Sequence, residues 1–266
     1  MMKIFKLSFV LLLLATISIA QQKTKDSIIL LKPDRVFDGQ QMHVGWWVLV
    51  KGKHIEAAGD PGSITAPPSA KIIELKGTTV MPGMIEGHSH LFLHPYNETS
   101  WNSQVLNESR AERTARAVNH AKATLMAGFT TVRDLGTEGA GYDDVGLKTA
   151  INKGIIPGPR MLVATRAIVA TGSYGPKSNV AEAVVIKGAE EADGIEGITH
   201  VVRSQIGYGA DVVKIYADYR WGEGGTAAAI LSRPICGPAL LHRARRACRD
   251  MAGVPNGCPG EGRELP

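Results

Sequence analysis

Cysteine is missing from the first 235 residues of this 266-residue chain, and its three cysteines, Cys236, Cys248 and Cys258, all fall near the C-terminus. No disulfide staples the main body, so a small disulfide scaffold is excluded, and the length suits one large domain or two modest ones with a sizeable core. Long apolar runs are equally scarce. The run Leu7–Leu14 is too short to span a bilayer, and no other segment reads as membrane-spanning. An excess of one charge sign is also missing from the body. The formal charge is +5, yet residues 21–221 hold 22 basic and 21 acidic side chains. A near-neutral body gives no polyanion-binding face, so nucleic acid is not expected as a partner. With 44% hydrophobic and 21% charged residues, the chain reads as globular rather than disordered.

What is present divides the chain. Lys3 and Lys6 precede the short apolar run, and Ser18-Ile19-Ala20 puts small residues three and one before a cut. Residues 1–20 therefore read as a secretory signal peptide, which predicts export to a periplasm or the outside and no stable membrane insertion after cleavage. Residues 222–266 contain no Lys, hold all the Cys and carry the cluster Arg243-Ala244-Arg245-Arg246. This composition break near Trp221 reads as a changed reading frame, or else as a basic appendage for a partner. The tail is expected to be irregular, with Ala239–Met251 as its one helical stretch.

Between these ends, residues 21–80 read as a small β-sandwich unit. Its strands are expected at 28–31, 45–50, 54–58 and 71–75, punctuated by Asp38-Gly39, Lys51-Gly52 and Asp60-Pro61-Gly62. From Thr79 the pattern turns to strand and helix alternation, with strands at 79–85, 129–132, 160–164 and 211–216 and helices ending at Gly128 and covering 145–153 and 195–207. Ser109-x-x-Glu112 is a capping box, and Ala111, Ala115, Val118, Ala121 and Leu125 recur at helical spacing behind it. The fold class is α/β. Residues 81–221 are expected to form the first half of a (β/α)8 TIM-like barrel, whose chemistry gathers at the C-terminal strand ends. Half a barrel leaves open edges, so self-association through them is expected.

The chemistry-bearing stretch is Met81-Pro82-Gly83-Met84-Ile85-Glu86-Gly87-His88-Ser89-His90. On an extended strand, residues i and i+2 share a face, so His88 and His90 can present two imidazoles to one cation. Alone, such a pair also arises by chance in loops. Its place at the end of the first barrel-like strand strengthens it.

That stretch, with Lys32-Pro33-Asp34-Arg35-Val36-Phe37-Asp38-Gly39, Ala127-Gly128-Phe129-Thr130-Thr131-Val132-Arg133-Asp134 and Gly209-Ala210-Asp211-Val212-Val213-Lys214-Ile215, resembles the amidohydrolase superfamily, specifically its imidazolonepropionase-like and dipeptidase-like members. The motif resemblance covers residues 28–221. It implies a hydrolase acting on C–N bonds of a peptide, cyclic amide or related small substrate by metal-activated water. It implies one or two divalent ions, zinc foremost, with His88 and His90 as first-strand ligands. Lys214 matches the lysine that is carboxylated and bridges two metals in many relatives. The family's further histidines and aspartate from later strands have no match here, so a catalytically inactive truncated remnant is the alternative reading.

Other residues carry less. His94 reads as a loop histidine or as lining the mouth of the site, Arg133 and Asp134 as an internal salt bridge or as holding a loop or a substrate carboxylate, and Tyr174 as a member of a Gly-rich loop, there to touch substrate or simply flexible, while His43, His54, His120 and His200 read as solvent-facing.

Overall fold

The computed structural model describes residues 27–176 and 185–216. Residues 1–26, 177–184 and 217–266 lie outside the described residues, as do the readings made for 1–20 and 222–266. The chain divides into two compact units that meet in sequence between Pro82 and Gly83.

The first unit is one five-stranded mixed sheet built around β1 (Ile28–Phe37). β2 (Met42–Val44) and β3 (Trp47–Lys51) run antiparallel to β1, and β4 (His54–Gly59) pairs with β3. β5 (Lys71–Val80) lies parallel to β1. Gly52, at φ +58°, takes the first place of the two-residue loop between β3 and β4, where a side chain would be strained. Leu30, Leu49 and Ile64 form the buried cluster on one face. The expected sandwich is corrected on this point: a sandwich needs two facing sheets, and the described residues of this unit supply one.

Two strands differ from their sequence reading. β5 continues to Val80 because Arg35 and Val36 of β1 pair with Thr79 and Val80. The barrel strand expected from Thr79 therefore starts later, as β6 (Met84–Ser89), after Met81-Pro82-Gly83 breaks the extended chain. Gly83 is required there. A Cβ at this position would lie 2.0 Å from Thr130 Oγ1.

The second unit places β6, β7 (Phe129–Asp134) and β8 (Arg160–Val163) side by side and parallel, with β6 and β8 at the edges among the described residues. Connections between them are helical, as parallel strands demand. α1 (Trp101–Asn107) and α2 (Arg110–Met126) follow β6, and α3 (Asp143–Asn152) follows β7. Ser109 caps α2 as its motif predicts, its hydroxyl accepting from the Glu112 N–H at 3.2 Å. The buried stripe of α2 is Arg113, Ala117 and Ala121, spaced by four, while Ala111 and Ala115 are exposed. Leu91, Phe92, Val132, Leu147, Met161 and Val163 complete this core.

Beyond β8, the two-residue strands β9 (Ile168–Val169) and β10 (Glu190–Glu191) pair in parallel, and α4 (Gly194–Tyr208) ends at Gly209, whose φ of +107° forms a left-handed cap. The fourth strand expected at 211–216 is an isolated bridge in the described residues. Ile168 pairs with Ile215, the Ile168 N–H donating to the Lys214 carbonyl at 2.8 Å and the Tyr216 N–H to the Ile168 carbonyl at 3.0 Å. Three parallel strands and this bridge are therefore what the described residues show of the half barrel. No helix among them is long and apolar enough to cross a membrane.

Candidate metal site

Parallel pairing brings the C-terminal ends of β6, β7 and β8 to one edge of the sheet. His88 lies near the end of β6 and His90 directly after it. Their side chains converge, with the two Nε2 atoms 3.2 Å apart. His90 Nδ1 is 2.9 Å from the Gly136 carbonyl in the loop after β7. A carbonyl only accepts, so Nδ1 carries the proton and the Nε2 of neutral His90 keeps its lone pair. Burial, and then the nearby Lys214 ammonium, hold the His88 ring below the ordinary histidine pKa. Burial does the same for His90, opposed by the bond to Gly136 and reinforced by Lys214. Both rings are therefore neutral near pH 7.

Lys214 reaches the same region through the bridge to β9, its Nζ 4.9 Å from the centre of the Tyr216 ring. Tyr216 stacks on Tyr174 at 5.1 Å, and Tyr174 meets Trp101 edge-on at 5.4 Å. The buried end of this aromatic row is Glu138. Its Oε2 accepts from the Tyr174 hydroxyl at 2.8 Å and the Trp101 indole N–H at 3.1 Å. Glu138 is only 2% exposed and has a backbone φ of +50°, uncommon for a residue with a side chain. Burial raises its carboxyl pKa, against the pull of Tyr174, Trp101, Arg113 and Lys214.

The two imidazole nitrogens are spaced as two ligands of one divalent ion would be. Two ligands held 2.0–2.1 Å from a tetrahedral zinc lie roughly 3.3 Å apart, close to the separation of the two ring nitrogens. His90 also has the backbone acceptor on its other nitrogen that metal-bound histidines use to fix the ring. Among the described residues no group of three or more His, Cys, Asp or Glu side chains converges as a ligand set.

Several other readings change. Arg133 and Asp134 form no salt bridge with each other, because alternation along β7 sends them to opposite faces. Arg133 donates to the Gly87 carbonyl at 2.7 Å, while buried Asp134 accepts the N–H groups of Leu91 and Gly136 at 3.1 and 3.3 Å. Burial first, and then the Asp144 charge, push Asp134 up to about 8. His94 is buried between Glu98 and Glu108, at 3.3 and 2.8 Å, and serves packing rather than the His88–His90 pair. Tyr174 is a buried anchor for Glu138 rather than a flexible loop tip. His43 stacks on Trp46 with ring centres 3.5 Å apart and reaches Asp38 at 2.8 Å, and His120 Nδ1 lies 2.9 Å from the Leu91 carbonyl, so neither simply faces solvent. Glu138, Trp101 and Arg113 escape the sequence reading altogether. A polar residue at a loop start and an Arg inside an amphipathic helix carry no local signal of a shared site.

Comparison with known proteins agrees with this geometry. The chain matches the family model described as "Amidohydrolase family" over residues 79–255, a span that runs past Trp221 and so further than the motif resemblance. No curated protein matches the chain. Among solved structures, a prolidase complexed with N-methylphosphonate-L-proline is 26% identical, with a TM-score of 0.62 over 82% of this chain and 54% of its own. An amidohydrolase is 28% identical, with a TM-score of 0.60 over 77% of this chain and 49% of its own. A Xaa-Pro dipeptidase with bound methionine is 25% identical, with a TM-score of 0.59 over 72% and 47%. The chain thus spans about half the length of the solved structures it matches. A family match over more than half of the residues, joined to a strand-end His pair on parallel strands, shows that this chain belongs to the amidohydrolase family.

Proposed function

We propose that the chain serves as a metal-dependent amidohydrolase that cleaves a C–N bond in a small amide, with dipeptides as the substrate class, and that His88, His90 and Lys214 hold the divalent ion. The observation that carries this reading is the convergence of two neutral imidazoles through Nε2 at 3.2 Å, one of them fixed by a backbone acceptor. The prolidase and dipeptidase likeness supports the choice of dipeptide. When bound, such an ion supplies Lewis acidity toward an amide carbonyl and lowers the pKa of the water it holds.

The chain's own residues do the rest. His90 keeps its ring orientation by donating Nδ1–H to Gly136, and His88 shares the same edge of β6. Lys214, if carboxylated by CO2 as the resemblance implies, would offer carbamate oxygen to such an ion. Export of this enzyme is part of the proposal and rests on residues 1–20 reading as a signal peptide.

The test is hydrolysis of a dipeptide panel, including Xaa-Pro sequences, by the full chain loaded with zinc and after chelation. Cleavage that appears with zinc and is lost in His88→Ala supports the reading. Cleavage unaffected by chelation, or no cleavage of any dipeptide by zinc-loaded protein, overturns it.

A further inference from the structure

Arg113 lies in the middle of α2 and is 1% exposed. Burying a guanidinium is unfavourable unless its donors are matched. Here each matched acceptor is a main-chain carbonyl. Nε donates to Phe92 at 3.1 Å, Nη1 to Glu138 at 2.8 Å and Nη2 to Thr137 at 2.8 Å. Phe92 is two residues beyond His90. Thr137 and Glu138 directly follow Gly136, whose carbonyl meets His90 Nδ1.

One side chain therefore ties together the loops after β6 and β7, the two segments whose relative position sets the His90–Gly136 bond. The loop after β7 follows an irregular course, with φ of +146°, +50° and +95° at Gly136, Glu138 and Gly139, and Arg113 adds to the bonds that the Leu135 N–H gives the Ser89 carbonyl and the Thr137 N–H gives the Thr165 carbonyl, each at 2.9 Å. The fit around the guanidinium is close: a Cβ on Gly139 would stand 3.4 Å from Nη1. A planar fork with fixed donors can hold two neighbouring carbonyls and a third across the gap, which a lysine ammonium cannot reproduce.

We propose that Arg113 is a positioning residue for His90, holding the Gly136 carbonyl where it fixes the imidazole in its Nδ1–H tautomer and aims the Nε2 lone pair at the metal position. This rests on the metal reading for its consequence, though not for its geometry. Arg113 touches neither histidine.

The experiment uses the full chain as wild type, Arg113→Met, Arg113→Lys and, as a control for lost core packing, Leu147→Ala. Two quantities are read: the His90 tautomer in metal-free protein by 15N NMR, and zinc affinity by titration. Wild type and L147A are expected to show Nδ1–H and equal zinc affinity. R113K, which keeps the charge if R113M fails to fold, is expected to populate Nε2–H and to bind zinc roughly 10- to 100-fold more weakly, the usual range for a lost outer-shell partner. An unchanged tautomer and affinity in R113K, or equal changes in L147A, would overturn the proposal. A tautomer change in R113K in a protein that binds no zinc even as wild type would support the positioning role and remove the metal reading.

Discussion

His90 and Gly136, 46 residues apart, are joined by a 2.9 Å contact from ring Nδ1 to carbonyl oxygen. That bond ties the end of β6 to the loop after β7 and commits one nitrogen of the ring, leaving the other to face His88. The residues around it fix what substitution and pH should do.

Gly83→Ala should destabilise the second unit. The added methyl would lie 2.0 Å from Thr130 Oγ1 and 2.6 Å from its Cβ, closer than any side-chain rotation relieves. Overpacking of this kind costs about 1–3 kcal/mol. Urea unfolding should show the loss in G83A and partial recovery in G83A combined with Thr130→Gly. Equal midpoints for wild type and G83A would mean that β6 and β7 are less closely apposed than described.

Stability should rise as pH falls from about 8 toward 4. Burial pushes Asp144 up to about 6 and Asp134 up to about 8. A carboxyl whose folded-state pKa lies above its unfolded value holds its proton more tightly when folded, so its contribution is present at low pH and lost as pH climbs through the folded value. Asp144→Asn should flatten the part of the slope between about 4 and 6. It should also lower stability overall, because Asp144 accepts the N–H groups of Val145 and Thr165 on separate oxygens and Asn has one acceptor. Denaturant midpoints across this range provide the check, and an unchanged slope in D144N would contradict the assignment.

His94→Ala should weaken the fold without touching metal binding. Removing His94 deprives nearly buried Glu108 of its 2.8 Å partner, while Glu108 Oε2 already lacks a hydrogen bond. The loss expected for stranding such a group is about 1–3 kcal/mol. Thermal melts should register it, with zinc affinity within twofold of wild type. A large fall in zinc affinity would move His94 into the site.

These residues also mark how far the sequence could be read. Ser109 and Glu112 announce the start of α2 because a cap is a local device, and the His-x-His spacing is visible because a strand has period two. The same alternation separates Arg133 from Asp134, so their opposite faces were legible once β7 was recognised. The end of β5 was not, since Thr79 and Val80 are held in the first sheet by pairing with Arg35 and Val36, more than 40 residues earlier. Glu138 and Arg113 were invisible for a related reason. Their partners lie 21 to 37 residues away and include main-chain carbonyls, which leave no trace in side-chain composition.

The central claim is that His88 and His90 together hold a divalent ion, and zinc titration of metal-free full-length protein against a competing chromophoric chelator tests it most directly. Wild type should take up zinc, and the double variant His88→Ala, His90→Ala should lose at least a hundredfold in affinity while keeping its helical circular dichroism, because deleting both imidazoles removes two ligands that no neighbouring group replaces. Equal zinc uptake by the folded double variant would contradict the account.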